Sequence, residues 1–199
     1  LIPAVVSQID GMLERLAAGG VVIDVGCGGG AALQAFAEAF PDARIIGVDT
    51  AEPAIDVASA RLGHLPNVSV HVGDLTSLAE TPRADLIMTL DCMHDMARPD
   101  LAAAAIKSGL REDGVWLIKD IKCGPTYESN ARNPLLAMQY GFSVSTCLPS
   151  ATSTPDALGL GTMGFHPDRA QDIATAAGFS SFRRLSTDDP AHFYYEVMH

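Results

Sequence analysis

The residues best suited to chemistry begin with Asp24-Val25-Gly26-Cys27-Gly28-Gly29-Gly30, which follow a β-branched run and precede an alanine-rich one. Glycines at such a junction allow a tight turn and close approach of a ligand to the backbone. They also present amides at a helix N-terminus. Gly26, Gly28 and Ala31 satisfy the relaxed dinucleotide pattern G-x-G-x-x-G/A as well. The loop alone therefore leaves the ligand open. Asp24 shifts the balance, because a carboxylate inside the end of an apolar strand is costly without a partner. It would repel a pyrophosphate and favour an ammonium or sulfonium group. Asp49, Asp74 and Asp91 stand at the ends of the next three predicted strands. In an open α/β sheet these ends line one crevice, so the crevice is ringed with carboxylates. That suits a zwitterionic or cationic nucleoside. His94 follows at the crevice mouth, and an ordinary imidazole is suited to removing a proton near neutral pH.

The elements that must position these residues alternate along the chain. Strands are predicted at 21–25, 44–48, 68–72, 85–90 and 115–121, with helices at 7–16, 31–40, 52–62 and 101–110. This rhythm implies a doubly wound parallel sheet with right-handed crossovers. The end differs. After a helix at 168–177, strands at 182–185 and 193–197 are separated only by a turn at Asp188-Asp189-Pro190. Without a crossover helix they must pair antiparallel, which makes seven strands. Residues 123–167 do not fit the rhythm. From Asn133 to Pro167 the only residue among Asp, Glu, Lys and Arg is Asp156, and 149–164 is rich in Ser, Thr, Pro and Gly. A helical insertion with a long loop is expected there, acting as a lid over the crevice.

Composition narrows the classes. In 199 residues there are 13 Lys+Arg against 24 Asp+Glu, a formal net charge of −11. Nucleic-acid backbones and anionic membranes both demand a cationic surface that this balance does not supply. Hydrophobic residues at 48% and charged residues at 19% fit a globular domain rather than a disordered chain. Cys27, Cys92, Cys123 and Cys147 are too scattered for a zinc knuckle or a disulfide scaffold. They are expected as free thiols in a reducing cytosol, and a cytoplasmic location follows. No apolar run is long enough to span a bilayer, and no signal peptide shows at the start.

Taken together, Val22-Ile23-Asp24-Val25-Gly26-Cys27-Gly28-Gly29-Gly30, Gly47-Val48-Asp49, Gly73-Asp74-Leu75, Asp85-Leu86-Ile87 leading to Asp91, and Leu110-Arg111-Glu112-Asp113-Gly114 resemble class I S-adenosylmethionine-dependent methyltransferases. The resemblance implies a Rossmann-like fold with an antiparallel C-terminal hairpin and S-adenosyl-L-methionine as cofactor. It implies that Asp24, Gly26, Gly28 and Gly30 contact the methionine portion. Asp49, with Thr50 beside it, would hold the ribose hydroxyls. Asp74 and the Leu75 amide would meet the adenine, and Asp91 the methionine amino group. Leu90 to Met96, Tyr140-Gly141-Phe142-Ser143 with Cys147, and Leu158-Gly159-Leu160-Gly161 are similar to the C-terminal domains of bacterial methyltransferases that carry an N-terminal winged helix. The chain starts at Leu1 rather than Met, so residues 1–199 are expected to be one methyltransferase domain lacking an N-terminal partner.

On that reading the acceptor is a small apolar or aromatic molecule. His94 would be the general base, with His166 a second candidate by the long loop. Met138, Tyr140 and Phe142 would line the acceptor pocket. Asp91, His94 and Asp95 also admit a magnesium site, but their spacing is not diagnostic, and no metal is expected. The uncharged insertion would serve a homodimer interface as well as a lid. Two rival functions share the motifs: a cofactor-sensing module without catalysis, and an NAD-dependent oxidoreductase.

Overall fold

A computed structural model describes residues 1–199, apart from the side chain of Leu75. Strand β1 (Val21–Val25) is buried along its whole length, as its β-branched run requires of a central parallel strand. Helix α1 (Met12–Ala17) precedes it. The helix expected from residue 7 breaks at Gly11, whose φ of 67° caps α1 from the left-handed region. Then come α2 (Ala31–Ala39), β2 (Arg44–Asp49), α3 (Glu52–Leu62) and β3 (Val68–Val72). A 3-10 turn (Leu75–Glu80) leads to β4 (Ala84–Leu90), and another (Met93–Asp95) to α4 (Pro99–Gly109) and β5 (Leu110–Ile121).

The insertion contains α5 (Tyr127–Asn130), α6 (Leu136–Phe142), one π-helical turn (Ser143–Cys147) and α7 (Leu148–Ala151). Helix α8 (Pro167–Ala176) returns the chain to the sheet, which closes with β6 (Ser181–Arg184) and β7 (His192–Met198).

The seven strands lie in the order β3-β2-β1-β4-β5-β7-β6. Pairs among β1 to β5 are parallel, and β7 runs antiparallel to both β5 and β6. The expected fold class is therefore the observed one. One core layer packs Leu33, Phe36, Ile55 and Leu62 of α2 and α3 against Val22 and Leu86. The other packs Ala102, Ile106 and Ile173 of α4 and α8 against Ile23, Ile87 and Trp116. Period-two alternation in the strands sends neighbouring residues to opposite layers. No helix among the described residues is long and apolar enough to cross a membrane.

The order of winding reverses between β1 and β4, because β2 and β3 extend the sheet one way and β4 and β5 the other. The crevice at the carboxyl ends of strands opens at such a switch point. The glycine loop leaves β1 there, and Asp91 leaves β4 there.

Candidate functional site

The glycine loop is built by backbone conformations that other residues resist. Gly26 and Gly30 have φ of 74°, and Gly28 has φ of 53°. At Gly26 a Cβ would stand 3.0 Å from the Cβ of Cys92, and at Gly30 it would stand 2.7 Å from Leu62 Cδ1. The loop is pinned to β2: the amides of Gly26 and Cys27 donate to the Val48 carbonyl at 2.8 and 3.2 Å. The amide of Gly28 donates to Asp49 Oδ2 at 2.9 Å, while Ala51 donates to Asp49 Oδ1 at 2.9 Å. Asp49 thus shapes the loop, and each oxygen retains a lone pair for a ligand hydroxyl.

Asp24 is 2% exposed, and its Oδ1 is buried without a hydrogen-bond partner. Burial, reinforced by the charge of Asp49, pushes this carboxyl up to about 7. The same causes push the Cys27 thiol up to about 12: burial first, then Asp24 and Asp49. Burial also raises Cys92 well above the ordinary thiol range. Neither sulfur is a thiolate nucleophile at neutral pH.

Beside the loop lies a cavity of about 700 Å³, lined by Asp49, Thr50, Asp74, Asp91 and Asp95 and covered by Ser150, Ser153 and Thr154 of the insertion. The covering segment is tied down by the Leu158 amide, which donates to the Ala97 carbonyl at 2.8 Å. Arg98 adds a second tie, reaching Asp156 at 2.5 Å and Asp100 at 2.6 Å. The insertion thus borders the cavity beside the glycine loop, through residues the sequence did not single out. Asp74 is exposed and caps the 3-10 turn, accepting from the Thr76 amide at 2.8 Å and the Thr76 hydroxyl at 2.6 Å. These bonds from Thr76 hold its carboxyl below the usual range. Leu75 follows it, with its side chain outside the described residues.

His94 is buried, with Nδ1 2.7 Å from Asp120 Oδ1. The Ile121 amide donates to the same oxygen at 2.7 Å, which marks it as an acceptor. The neutral imidazole would therefore carry its proton on Nδ1 and leave Nε2 facing Asp95 Oδ1 at 3.3 Å, where the charged ring would donate. Burial opposes a charged ring, but the Asp120 hydrogen bond and the charges of Asp120, Asp95 and Asp91 prevail, so the histidine is raised above its ordinary value. Asp120, near the end of β5, carried no motif in the sequence. Only the pairing of β5 with β4 brings it behind His94.

Several expectations need correction. Asp91 lines the cavity, with one carboxylate oxygen paired and Oδ1 buried without a hydrogen-bond partner. Lys119 pairs with Oδ2, and His192 Nε2 lies 3.3 Å from Oδ1. Its φ of 59° makes it the only non-glycine residue with positive φ among those described. His192 in turn meets Asp189 at 3.2 Å, and Tyr194 donates to Asp189 at 2.8 Å. Burial opposes ionisation of Asp189, yet the Ala191 amide, Tyr194 and His192 outweigh it and hold the carboxyl down to about 2. Lys119 thus offsets the charge of Asp91, whereas Asp24 has no cationic partner. His166 caps α8, its Nδ1 accepting from the Arg169 amide at 3.4 Å, and is not among the residues lining the cavity. Met138, Tyr140 and Phe142 are 51%, 39% and 54% exposed. Helix α6 instead buries Gln139, whose Oε1 accepts from Asn133 at 2.8 Å. None of Met138, Tyr140 and Phe142 is among the residues lining the cavity.

Of the three residues weighed for magnesium, Asp91 pairs with Lys119 through Oδ2. A different trio lies close together: His94, Asp95 and Cys147 offer ligand atoms within 4.8 Å of one another.

Comparison with known proteins follows the same lines. The profile of a family described as a methyltransferase domain matches residues 16–155. An uncharacterized 37.1 kDa protein of transposon TN4556 from Streptomyces fradiae is 28% identical over 174 residues, covering 73% of this chain and 50% of that protein. The malonyl-[acyl-carrier protein] O-methyltransferase of Halalkalibacterium halodurans is 28% identical over 125 residues, covering 61% of this chain and 46% of that protein. The chain spans about half the length of the curated relatives it matches. Human N-acetylserotonin methyltransferase, solved in complex with SAM, has a TM-score of 0.68 at 18% identity, covering 98% of this chain and 50% of that one.

Proposed function

This chain belongs to the methyltransferase-domain family, and we propose that it transfers the methyl group of S-adenosylmethionine to a small acceptor whose attacking atom arrives protonated. The observation that carries the reading is Asp24: a buried carboxylate without a cationic partner, beneath a glycine loop that borders a cavity of about 700 Å³. A buried charge calls for an opposite one, and the cofactor's ammonium supplies it. A cavity of this volume lies within the range of small-molecule sites.

When bound, the cofactor supplies a methyl group already activated by the sulfonium, so displacement demands alignment more than activation. Asp24 holds the ammonium, and the glycine loop lets the backbone come close. Asp49, with Thr50 beside it, holds the ribose hydroxyls, and Asp74 and Leu75 border the adenine. Ser150, Ser153 and Thr154 cover the cavity and exclude water from that side. His94 accepts the acceptor's proton at Nε2. Asp120 fixes the ring through Nδ1 and stabilises the imidazolium that forms, at an O···N distance of 2.7 Å. The acceptor is a small molecule, because the dyad is buried beneath the insertion.

Isotope-labelled S-adenosylmethionine, incubated with the protein and fractionated small metabolites, should yield a labelled product. Calorimetry should show S-adenosylhomocysteine binding and no NAD binding. Tight binding of the homocysteine compound with no acceptor methylated in any fraction would establish a sensor instead. NAD binding in its place would overturn the cofactor assignment.

A further inference from the structure

We propose that His94, Asp95 and Cys147 form a binding site for one borderline-soft divalent cation of the zinc type, and that its occupancy silences His94 as a proton acceptor. The silencing clause rests on the base role proposed above; the metal site does not.

The argument begins with an unresolved contact. With the Nδ1 proton committed to Asp120, His94 Nε2 presents a lone pair to Asp95 Oδ1 at 3.3 Å. That oxygen is buried and has no hydrogen-bond partner. In the neutral ring these are two acceptors that repel, and either a proton on Nε2 or a metal cation between them relieves the contact. The third atom, Cys147 Sγ, lies within 4.8 Å of both. Zinc bonds of about 2.0–2.3 Å to nitrogen, oxygen and sulfur imply roughly 3.3–3.8 Å between ligand atoms in a tetrahedron. The His94–Asp95 spacing already fits, and the sulfur needs to move inward by about 1 Å, a small side-chain rotation. Cys147 ends the π-helical turn Ser143–Cys147, a local distortion that often accompanies a functional position.

Asp120 stands behind the histidine as the carboxylate that orients a ligating imidazole in metal sites. A set of one nitrogen, one oxygen and one sulfur selects zinc over magnesium or calcium, which demand six or more oxygens. Three protein ligands leave a fourth position open. On binding, the Cys147 thiol gives its proton to solvent as the sulfur–metal bond forms, with no change of oxidation state. Cation and proton then compete for the same Nε2 lone pair, so the loaded protein cannot deprotonate its acceptor.

Cobalt(II), added near neutral pH to the chelator-treated chain, tests the site. It should bind at one equivalent, with a near-ultraviolet thiolate-to-cobalt band and the visible bands of a tetrahedral centre. Zinc should bleach both. Cys147→Ser should lose the ultraviolet band, and Asp120→Asn should weaken affinity by about 10–100-fold. S-adenosylhomocysteine calorimetry on each variant serves as the control for folding. No cobalt uptake, or an unchanged band in Cys147→Ser, overturns the site. Zinc should also suppress labelled methyl transfer, reversibly with chelator. Zinc bound with turnover unchanged overturns the silencing clause. Absence of turnover before zinc is added counts against the base role, and silencing falls with it, while the cobalt spectrum still decides the site.

Discussion

Lowering the pH should weaken cofactor-product binding through one side chain, Asp24. In the free protein, burial and the charge of Asp49 raise this carboxyl from 3.8 to about 7. Binding an ammonium needs the charged form. Below pH 7, each unit of pH adds about 1.4 kcal/mol to the cost of removing the proton. At pH 5 that amounts to roughly 2.7 kcal/mol, or about 100-fold in dissociation constant. Calorimetry with S-adenosylhomocysteine between pH 5 and 8 should show affinity rising about tenfold per unit and then levelling above 7. Repeating the titration at pH 6 in buffers of different ionisation enthalpy should reveal close to one proton released. Asp24→Asn should bind more weakly at pH 8 and lose the pH dependence.

Folding should respond in the opposite sense. The folded pKa of Asp24 lies above the unfolded value, so its contribution to stability is fully present below about 4 and is lost as pH rises through about 7. Three units correspond to roughly 4 kcal/mol. Asp24→Asn should therefore be the more stable protein at pH 8 when no cofactor product is present. A dissociation constant that stays flat from pH 5 to 8 in the unmodified protein, with no proton released, would refute the reasoning.

Other outcomes follow from the same site. Gly30→Ala forces a side chain into a φ of 74° and against Leu62 Cδ1 at 2.7 Å. It should cost about 1–3 kcal/mol and lower the thermal midpoint by several degrees. Asp49→Ala loses both the Gly28 anchor and the ribose contact, and should weaken S-adenosylhomocysteine binding at least tenfold, about 1.4 kcal/mol, by calorimetry. His94→Ala should retain that binding while labelled methyl transfer falls by about 10²–10⁴-fold. Undiminished transfer would remove His94 from the mechanism.

The sheet and the glycine loop were legible because their signals are local. A β-branched run, a glycine cluster and an acidic residue two positions before it sit within ten residues, and the strand they specify forms at Val21–Val25. Seven strands and the terminal antiparallel pair followed from spacing alone. The second half of the site was not legible in that way. Asp120 looks like any polar residue near the end of a strand until β5 aligns with β4. Cys147 is 53 positions from His94 by the numbering and meets it only through the fold of the insertion. Met138, Tyr140 and Phe142 looked like pocket lining by type, but helix rotation decides which side is covered, and in this helix Gln139 is the buried residue. Asp91 looked like a free carboxylate, whereas Lys119 pairs with it from β5 and His192 comes near it from β7.

The sequence by itself determined the layered α/β architecture, the acidic crevice and the nature of the ligand that crevice favours. Each depends on periodicity and charge within short stretches of chain, where backbone geometry leaves few alternatives. Tertiary structure alone decided which carboxylates stay unpaired, which histidine gains an acidic partner, and which face of the insertion covers the cavity. Those outcomes depend on distances of a few ångströms between residues far apart in the chain. Desolvation and pairing at that scale turn Asp24 into a carboxyl poised near neutrality and Asp189 into one held near 2.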